Sequence, residues 1–449
     1  MIIKNKHELS TTELRRQALD IIEAGIARVL PPAVMKSAIS YDPAGKTLTV
    51  NDDTYDISRG RLFVIGGGKA SALMAETLES ILTPENISAG VVTCNSRSSG
   101  YRTSKIRIVE AGHPVPDQRG LNGVKQMLAL KDRYWINEDD LVICLISGGG
   151  SALMPCPADG ITLKDKQRLT ELLLGCGAPI DEINSVRKHL SKTKGGRLGS
   201  FYSPATVVSL ILSDVIGNDL GVIASGPTCP DSSTFSDAYN VLAKYDLLSR
   251  VPERVITLLK RGCRGEVEET PKTLDNCRNY IIGDNRLALE AMAEKAKEKG
   301  LAPCIVTAEQ KGDTATIARL RAGEILGARY TGYDIVLIGG ETTPKLPDKA
   351  GKGGRNQHYA AVSMVAMKEY NGEWALASVG TDGSDFLPDV AGAIVDNNSL
   401  DTAKSKGIDV KSYLDRYDSH TLLREIGTSL IVTGNTGTNV GDVIVYVLK

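Results

Sequence analysis

The chain has 449 residues, and its 53 Lys and Arg residues nearly balance its 54 Asp and Glu residues. The resulting formal net charge of −1 gives no electrostatic reason to bind nucleic acid or an acidic membrane surface, so we expect small-molecule partners, with no nucleic acid and no membrane among them. This length suits two or three domains with an active-site cleft between them. Eight singly scattered cysteines without zinc-type spacing are typical of reduced thiols in a cytoplasmic protein.

The first predicted element is an amphipathic helix near the N-terminus, which Ser10 or Thr11 is expected to cap. Its apolar stripe at helical spacing consists of Leu14, Ala18, Ile21, Ile22 and Ile26. Charges throughout the first 30 residues do not fit a signal peptide, and no later segment approaches the length of an apolar membrane span. We therefore expect an intracellular chain.

Apolar runs then alternate with helical stretches, which predicts an α/β domain with a mostly parallel, Rossmann-like sheet. The candidate strands lie at residues 61–65, 90–93, 106–109, 141–146 and 205–212. Turns rich in Gly, Ser or Asp follow most of them. Because ligands bind at the carboxyl edge of such sheets, we expect these turns to meet in one crevice.

The turn IGGGKAS follows the first of these strands and contains Gly67, Gly68 and Lys69. Glycines before a helix let the backbone approach an anion, and Lys69 adds a mobile positive charge there. The pattern is only part of a dinucleotide fingerprint and has no acidic residue to hold a ribose, so an NAD site has weak support. The alternative is a solvated lysine beside a packing turn.

A second glycine turn directly follows the apolar run LVICLI and is formed by Ser147, Gly148, Gly149, Gly150 and Ser151. A helix is expected from Ala152 until Pro155 interrupts it, so backbone N–H groups would face a phosphate or a carboxylate. The turn is not a G-x-x-x-x-G-K-[ST] loop. A tight turn that uses glycine only for packing remains the alternative.

The segment EINSVRKHLSKTKGGRLG, residues 182–199, concentrates positive charge. Arg187, Lys188 and Lys194 are the candidate phosphate or carboxylate ligands, because no acidic residue balances them between residues 185 and 212. A solvated helix face is the usual explanation of such a run. Carboxylates suited to a divalent cation follow the strand at 205–212, and Asp214 and Asp219 are the predicted metal ligands.

Residues 236–278 are more polar and helical and are interpreted as a connector, so we place a Rossmann-like domain at residues 1–245 and a smaller mixed α/β domain at 246–449. In the second domain, the polar segment 344–354 suits a mobile flap that ends at Arg355, whose planar fork can contact a phosphate. Its other candidate ligands are Asn356, Thr381, Asp382, Thr436 and Asn439. The loop TGNTGTNVGD, residues 433–442, either binds a polyphosphate or closes a hairpin.

Taken together, the motifs IGGGKAS, AGHPVPD, LISGGGSAL, the basic segment, LSDVIGND, IASGPT, GGETT, GGRNQ, GTDGSD and TGNTGTNVGD resemble the class II glycerate kinase family. That resemblance implies ATP-dependent phosphorylation of D-glycerate at the C2 hydroxyl, with Mg²⁺ or another divalent cation. It implies a cleft between two domains, with a MOFRL module from about residue 330. It also implies catalytic roles for Lys69 and Arg355, to which we add Asp214.

The sequence departs from the usual family pattern at three places: His358 after GGRNQ, Phe386-Leu387 after GTDGSD, and Asn218 at a usual aspartate. The main functional alternative is an NAD(P)H-dependent hydroxypyruvate reductase, a label that members of this family have carried. A non-catalytic sensor of sugar acids or nucleotides is a third hypothesis. A homodimer is possible.

Overall fold

A computed structural model of the chain describes residues 1–95 and 100–449. Its strands, numbered in chain order, are β1 (Ile39–Asp42), β2 (Thr47–Val50), β3 (Asp53–Asp56), β4 (Leu62–Gly67), β5 (Ala89–Asn95), β6 (Ile106–Ala111), β7 (Leu141–Ser147), β8 (Thr206–Leu212), β9 (Cys277–Gly283), β10 (Pro303–Gln310), β11 (Ile335–Gly340), β12 (Trp374–Gly380), β13 (Gly392–Asp396), β14 (Leu430–Ile431) and β15 (Asp442–Leu448). Its helices are α1 (Lys6–Leu9), α2 (Glu13–Arg28), α3 (Pro31–Ala38), α4 (Ser71–Leu82), α5 (Gln118–Tyr134), α6 (Gly150–Leu153), α7 (Leu163–Gly175), α8 (Ile180–His189), α9 (Arg197–Tyr202), α10 (Phe235–Lys244), α11 (Glu253–Cys263), α12 (Asn285–Glu298), α13 (Thr314–Leu326), α14 (Arg355–Ala366), α15 (Asn397–Ser405), α16 (Val410–Asp415) and α17 (Ser419–Ile426).

The chain folds into two compact units. Residues 34–282 form what we call the parallel-sheet unit, and residues 1–33 with 283–449 form the mixed-sheet unit. These limits differ from the sequence-based division at residues 245 and 246. The first sheet extends to β9, and the N-terminal helix α2 packs on β12 and β15. The chain therefore starts in the mixed-sheet unit, leaves it after residue 33 and returns to it at residue 283.

In the parallel-sheet unit the strand order is β6-β5-β4-β7-β8-β9, and β4 through β8 pair in parallel. Both β4 and β7 are buried along their whole length, which explains why they read as continuous apolar runs. The chain proceeds from β4 outward through β5 to β6, and then returns to place β7 on the other side of β4. The carboxyl ends of β4 and β7 are thus a topological switch point, the place where open α/β sheets bind ligands.

The segment predicted as a connector, residues 236–278, is instead part of a helical layer of the parallel-sheet unit. Helix α10 begins with a capping box in which Thr234 and Asp237 satisfy each other's backbone N–H groups. Helices α10 and α11 share one apolar core with α7 and α8, which includes Phe235, Leu259 and Val186. The polar residues of this segment lie on the exposed faces of amphipathic helices, which explains why the segment resembled a linker.

The mixed-sheet unit has the strand order β10-β11-β15-β12-β13-β14, in which only the β10–β11 pair is parallel among the described pairs. Alternate residues along β11 and β15 face two different cores, one covered by α2 and α12 and the other by α14. The α/β class is confirmed. The hairpin alternative for residues 433–442 is wrong, because β14 pairs with β13 while β15 lies between β11 and β12.

The N-terminal helix is tied to the mixed sheet by polar contacts as well as by its apolar stripe. Thr12, rather than Ser10 or Thr11, caps α2. Arg15 is buried, and its Nε donates to Asp396 Oδ2 at 2.7 Å. Among residues 1–95 and 100–449, no helix combines the length and the apolar character that a membrane crossing requires.

Candidate active site

The two glycine turns meet at the carboxyl ends of β4 and β7. Gly66 and Gly68 have positive φ angles of 135° and 156°, and a Cβ on either would overlap backbone or side-chain atoms of β7. The Lys69 N–H donates to the Gly148 carbonyl at 2.9 Å, and the Ala70 N–H donates to Ser147 Oγ at 3.0 Å. Ser147 is fully buried and joins the two turns, so its predicted role in ligand binding stays a prediction.

The more accessible part of this junction is formed by Lys69, Gly149 and Ser151, whereas Gly67, Gly68, Gly148 and Gly150 are buried. A Cβ on Gly149 would lie 2.9 Å from His113 Nε2 and 3.3 Å from Lys69 Cγ, so three chain segments approach one another here. The helix expected from Ala152 is the single turn α6, which begins at Gly150. Its dipole therefore contributes less than a full helix would.

A chain of hydrogen bonds holds the end of the second glycine turn. Ser151 Oγ lies 2.7 Å from Ser225 Oγ, and Ser225 Oγ donates to Asn184 Oδ1 at 3.1 Å. Ser225 has a φ of 62°, a left-handed conformation that is uncommon for serine. Neither Ser225 nor Asn184 was predicted as a site residue from the sequence, although Ser225 lies in the IASGPT motif that contributes to the family resemblance.

The three predicted ligands of the basic segment occupy different environments. Lys188 Nζ pairs with the buried Asp231 at 3.0 Å, and its predicted role in ligand binding stays a prediction. Lys194 is 3% exposed, and its Nζ donates to the Ser151 carbonyl at 2.9 Å. Arg187 is half-buried, and burial lowers the pKa of its guanidinium. Lys194 is thus the buried cation bound to the glycine turn, and the half-buried Arg187 interacts with it electrostatically.

The candidate metal ligands follow β8. Asp214 is half-buried, and Asp219 is exposed with its Oδ1 accepting from the Gly221 N–H at 2.7 Å. The described residues contain no group of three or more His, Cys, Asp or Glu side chains placed to hold a metal ion. Asn218 has a φ of 56°, a conformation that asparagine tolerates well, which provides a structural reason for this departure from the family pattern.

In the mixed-sheet unit, Arg355 is the first residue of α14 and is held by two carboxylates. Its Nε and Nη2 donate to Asp442 at 2.5 and 2.9 Å, and its Nη1 lies 2.8 Å from Glu341. Burial alone would lower the pKa of Arg355. The attraction of the Asp442 and Glu341 carboxylates is larger than this effect and raises the pKa above its usual value. Asp442 was missed from the sequence because it lies 87 residues from Arg355 and ends a loop considered only for its hydroxyls and amides.

The N-terminus of α14 already has an anion, the carboxylate of Asp385. This carboxylate accepts from the Asn356 and Gln357 backbone N–H groups at 3.0 and 2.8 Å, and from Gln357 Nε2 at 2.9 Å. Burial raises the pKa of Asp385, while these hydrogen bonds oppose the rise. Asp385 is therefore a helix cap that positions Arg355.

The remaining predicted ligands of this unit are divided between buried and half-buried positions. Asn356, Thr381 and Asn439 are buried, and Thr381 Oγ1 donates to the Gly441 carbonyl at 2.7 Å. Asp382 and Thr436 are half-buried, and Thr436 Oγ donates to the Thr381 carbonyl at 2.6 Å. These contacts connect the 381–385 loop with the 433–442 loop, and the roles of all five residues in binding stay predictions.

The other two departures from the family pattern differ in their surroundings, since His358 is buried and Phe386 is exposed. His358 stacks on Tyr417 with ring centroids 4.0 Å apart, and its Nδ1 lies 2.8 Å from Ser419 Oγ. Burial lowers the pKa of His358 to about 4, so it is a neutral packing residue at ordinary pH. Phe386 is 84% exposed with a φ of 65°, a conformation in which the glycine usual for the family would be free of strain.

The chain resembles known proteins along most of its length. Residues 17–260 match the family described as Domain of unknown function (DUF4147), and residues 334–442 match the MOFRL family. The glycerate 2-kinase of Pyrococcus horikoshii is 39% identical, covering 96% of this chain and 98% of its own. A putative hydroxypyruvate reductase of Agrobacterium vitis is 39% identical over 86% of this chain and 98% of its own. The crystal structure of a glycerate kinase from Thermotoga maritima superposes with a TM-score of 0.83 at 36% identity, covering 97% of this chain and 99% of that one.

The fold and these relatives therefore show an α/β enzyme of the kinase class. The chain belongs to the glycerate 2-kinase family, in which a DUF4147 domain is combined with a MOFRL domain. The family resemblance drawn from the sequence motifs is confirmed.

Proposed function

We propose that this enzyme transfers the γ-phosphoryl group of ATP to D-glycerate, at the C2 hydroxyl, to give 2-phosphoglycerate and ADP. The observation that carries the proposal is the junction of two glycine turns at the β4–β7 switch point, with Lys69 beside Gly149. The names of the relatives from Pyrococcus horikoshii and Thermotoga maritima support glycerate phosphorylation.

Phosphoryl transfer needs little covalent help from the protein and depends on positioning and on charge stabilisation. The glycerate hydroxyl attacks the γ-phosphorus, the bond from that phosphorus to the bridging oxygen breaks, and ADP leaves. Lys69 supplies a cation beside the glycine turns for the phosphate groups. We assign Asp214 to the orientation of the attacking hydroxyl.

Arg355 is the second proposed cation, and its partners prepare it for that role. Asp442 holds two guanidinium nitrogens and so fixes the plane of the group. Glu341 is more exposed than Asp442 and contacts Nη1. A phosphoryl oxygen would take the place of Glu341 at that nitrogen, since a planar guanidinium suits phosphate well.

A divalent cation is a further part of the proposal. Mg²⁺ is usually held by one or two carboxylates together with substrate phosphates, rather than by a full protein cage. The donor set after β8 fits this mode, because Asp214 and Asp219 are carboxylates and only one oxygen of Asp219, Oδ1, accepts a backbone N–H from the described residues. When bound, the ion would neutralise phosphate charge. A homodimer and a cytoplasmic location stay predictions.

The test is ADP release by the purified enzyme with D-glycerate, ATP and Mg²⁺. We expect Lys69→Ala and Arg355→Ala each to lower kcat on the order of 10³-fold, because each removes a cation from the developing charge. The matched controls are Lys164→Ala and Arg286→Ala, which remove exposed cations and should leave turnover unchanged. Near-normal turnover in both site variants would overturn the assignment.

The name of the Agrobacterium vitis relative makes hydroxypyruvate reduction the second candidate. The glycine turn of this chain lacks the last glycine of a dinucleotide fingerprint, since Ser71 stands there. We therefore expect no loss of NADH absorbance when the enzyme is mixed with hydroxypyruvate and NADH. Loss of NADH without ADP release in the kinase assay would favour the reductase.

A further inference from the structure

Two buried and one half-buried cationic side chain of the parallel-sheet unit lie close enough to interact electrostatically. They are Lys166 on α7, Arg187 on α8 and Lys194 shortly after α8. Lys166 is 8% exposed, and its Nζ has no hydrogen-bond partner among the described residues. Lys194 lies against the second glycine turn through its bond to the Ser151 carbonyl. Lys166 was not singled out in the sequence, because a lysine in the first turn of an amphipathic helix looks solvated.

No carboxylate neutralises these three cations within residues 1–95 and 100–449. Other basic residues of the same segment do have acidic partners: Lys188 pairs with Asp231, and Lys192 pairs with Asp159. Within the described part of this segment, Lys188 and Lys192 thus have acidic partners, whereas Arg187 and Lys194 form no ion pair. Buried charges are normally paired, because removing an ion from water without a partner costs several kcal/mol.

The pKa of Lys166 agrees with this buried position. It falls to about 8, mainly because burial disfavours the charged form; the Cys156 thiol opposes the fall and Arg187 adds to it. The pKa of Lys194 also falls well below its usual value, first through burial and then through Lys166 and Arg187. The ionisable groups that face Lys166 are therefore two cations and one thiol. An anion among them would restore the balance of charge.

We propose that Lys166, Arg187 and Lys194 form an anion-binding site attached to the Ser147–Ser151 turn, which takes the carboxylate or phosphate oxygens of a substrate. The proposal rests on the proposed function for the choice of ligands, which are D-glycerate and the nucleotide. Lys166 is the new member of the site. Its Nζ supplies a hydrogen-bond donor that no group of residues 1–95 or 100–449 uses.

The experiment compares the wild-type enzyme with Lys166→Met and with the control Lys164→Met, which changes an exposed lysine of the same helix. D-glycerate, ADP and inorganic phosphate are titrated separately by isothermal calorimetry. A hydrogen bond to a charged group corresponds to an affinity change of at least about tenfold, so we expect Lys166→Met to weaken one ligand by that factor. Lys164→Met should bind as the wild type does.

The pattern of losses identifies the anion. If Lys166→Met binds D-glycerate more weakly and binds ADP and phosphate with unchanged affinity, the site holds the substrate carboxylate. If the variant binds ADP or phosphate more weakly and binds D-glycerate with unchanged affinity, the site holds the nucleotide phosphates. Binding of all three ligands with wild-type affinity by Lys166→Met overturns the proposal.

Proton uptake provides a readout that a purely structural role would not change. An anion beside Lys166 raises the pKa of that lysine, so ligand binding at pH 8 to 9 should take up part of a proton. Calorimetric titrations in two buffers with different ionisation enthalpies measure the number of protons taken up, because the observed binding enthalpy then differs between the buffers. We expect uptake in the wild type and in Lys164→Met, and its loss in Lys166→Met. Equal uptake in all three proteins would contradict the site.

The outcomes also separate this proposal from the proposed function. If the enzyme binds D-glycerate or ADP through Lys166 but releases no ADP from ATP, the kinase assignment fails while the anion site stands. If turnover is normal and Lys166→Met binds every ligand as the wild type does, the anion site fails while the kinase assignment stands.

Discussion

Replacing Lys166 with methionine should make the ligand-free protein more stable. Lys166 is buried and its ammonium group has no partner among the described residues, so its charge opposes folding. Methionine is also unbranched and fills a similar volume without a charge. Such a gain in stability at the expense of ligand affinity is the usual trade-off at binding sites.

The magnitude follows from the pKa of Lys166, which falls from 10.5 to about 8 in the folded protein. Each pKa unit corresponds to about 1.4 kcal/mol, so the charged form of Lys166 costs about 3 kcal/mol of stability at pH 7. Between pH 8 and 10.5 the unfolded chain binds the proton that the folded protein has lost. Wild-type stability therefore rises with pH across this window relative to Lys166→Met.

The assay is thermal unfolding of both proteins without ligand at pH 7, 8.5 and 10, with Lys164→Met as the control. A change of 1 kcal/mol shifts Tm by about 2–4 °C in a unit of this size, so Lys166→Met should gain several degrees at pH 7. The gain should shrink toward zero as the pH approaches 10. A loss of stability at pH 7, or a gain that does not change with pH, would refute the reasoning.

Three further substitutions test other contacts. Asp442→Asn should lower kcat on the order of 10²-fold with a smaller effect on KM, because the guanidinium of Arg355 loses the carboxylate that orients it. Steady-state kinetics measures both constants. Asp385→Asn should cost about 1–2 kcal/mol in urea unfolding, since an amide cannot accept all the hydrogen bonds of the cap. Arg15→Leu should cost about 3–5 kcal/mol because it leaves a buried carboxylate unpaired, whereas the exposed Arg16→Leu should change stability by about 0.5 kcal/mol or less.

The local part of the fold was predictable from the sequence. The apolar runs that became β4 and β7 are buried on both faces, and the glycine turns that follow them are required by close approach of the two strands. The order of the strands was not predictable, because the sequence does not record which strands pair. The switch point between β4 and β7 appears only in the folded sheet.

Long-range partners account for most of what the sequence could not show. The basic segment has no acidic residues nearby in the sequence and therefore looked unpaired. In the structure, Lys188 pairs with Asp231, which lies 43 residues away in the chain. The N-terminal helix α2 was predicted correctly as a helix, but its apolar stripe covers a sheet built from residues beyond 283. Lys166 is the opposite case. Its place in an amphipathic helix is typical of an exposed lysine, yet the structure buries it without a partner among the described residues.

The position of phosphorylation is the most direct test of the proposed reaction. The product of D-glycerate, ATP and Mg²⁺ is examined by proton-coupled phosphorus NMR, in which a phosphate on C2 couples to one proton and a phosphate on C3 couples to two. We expect a doublet, for 2-phosphoglycerate, and an equal amount of ADP. A triplet would show 3-phosphoglycerate and contradict the C2 assignment, and no phosphorylated product would contradict the kinase function itself.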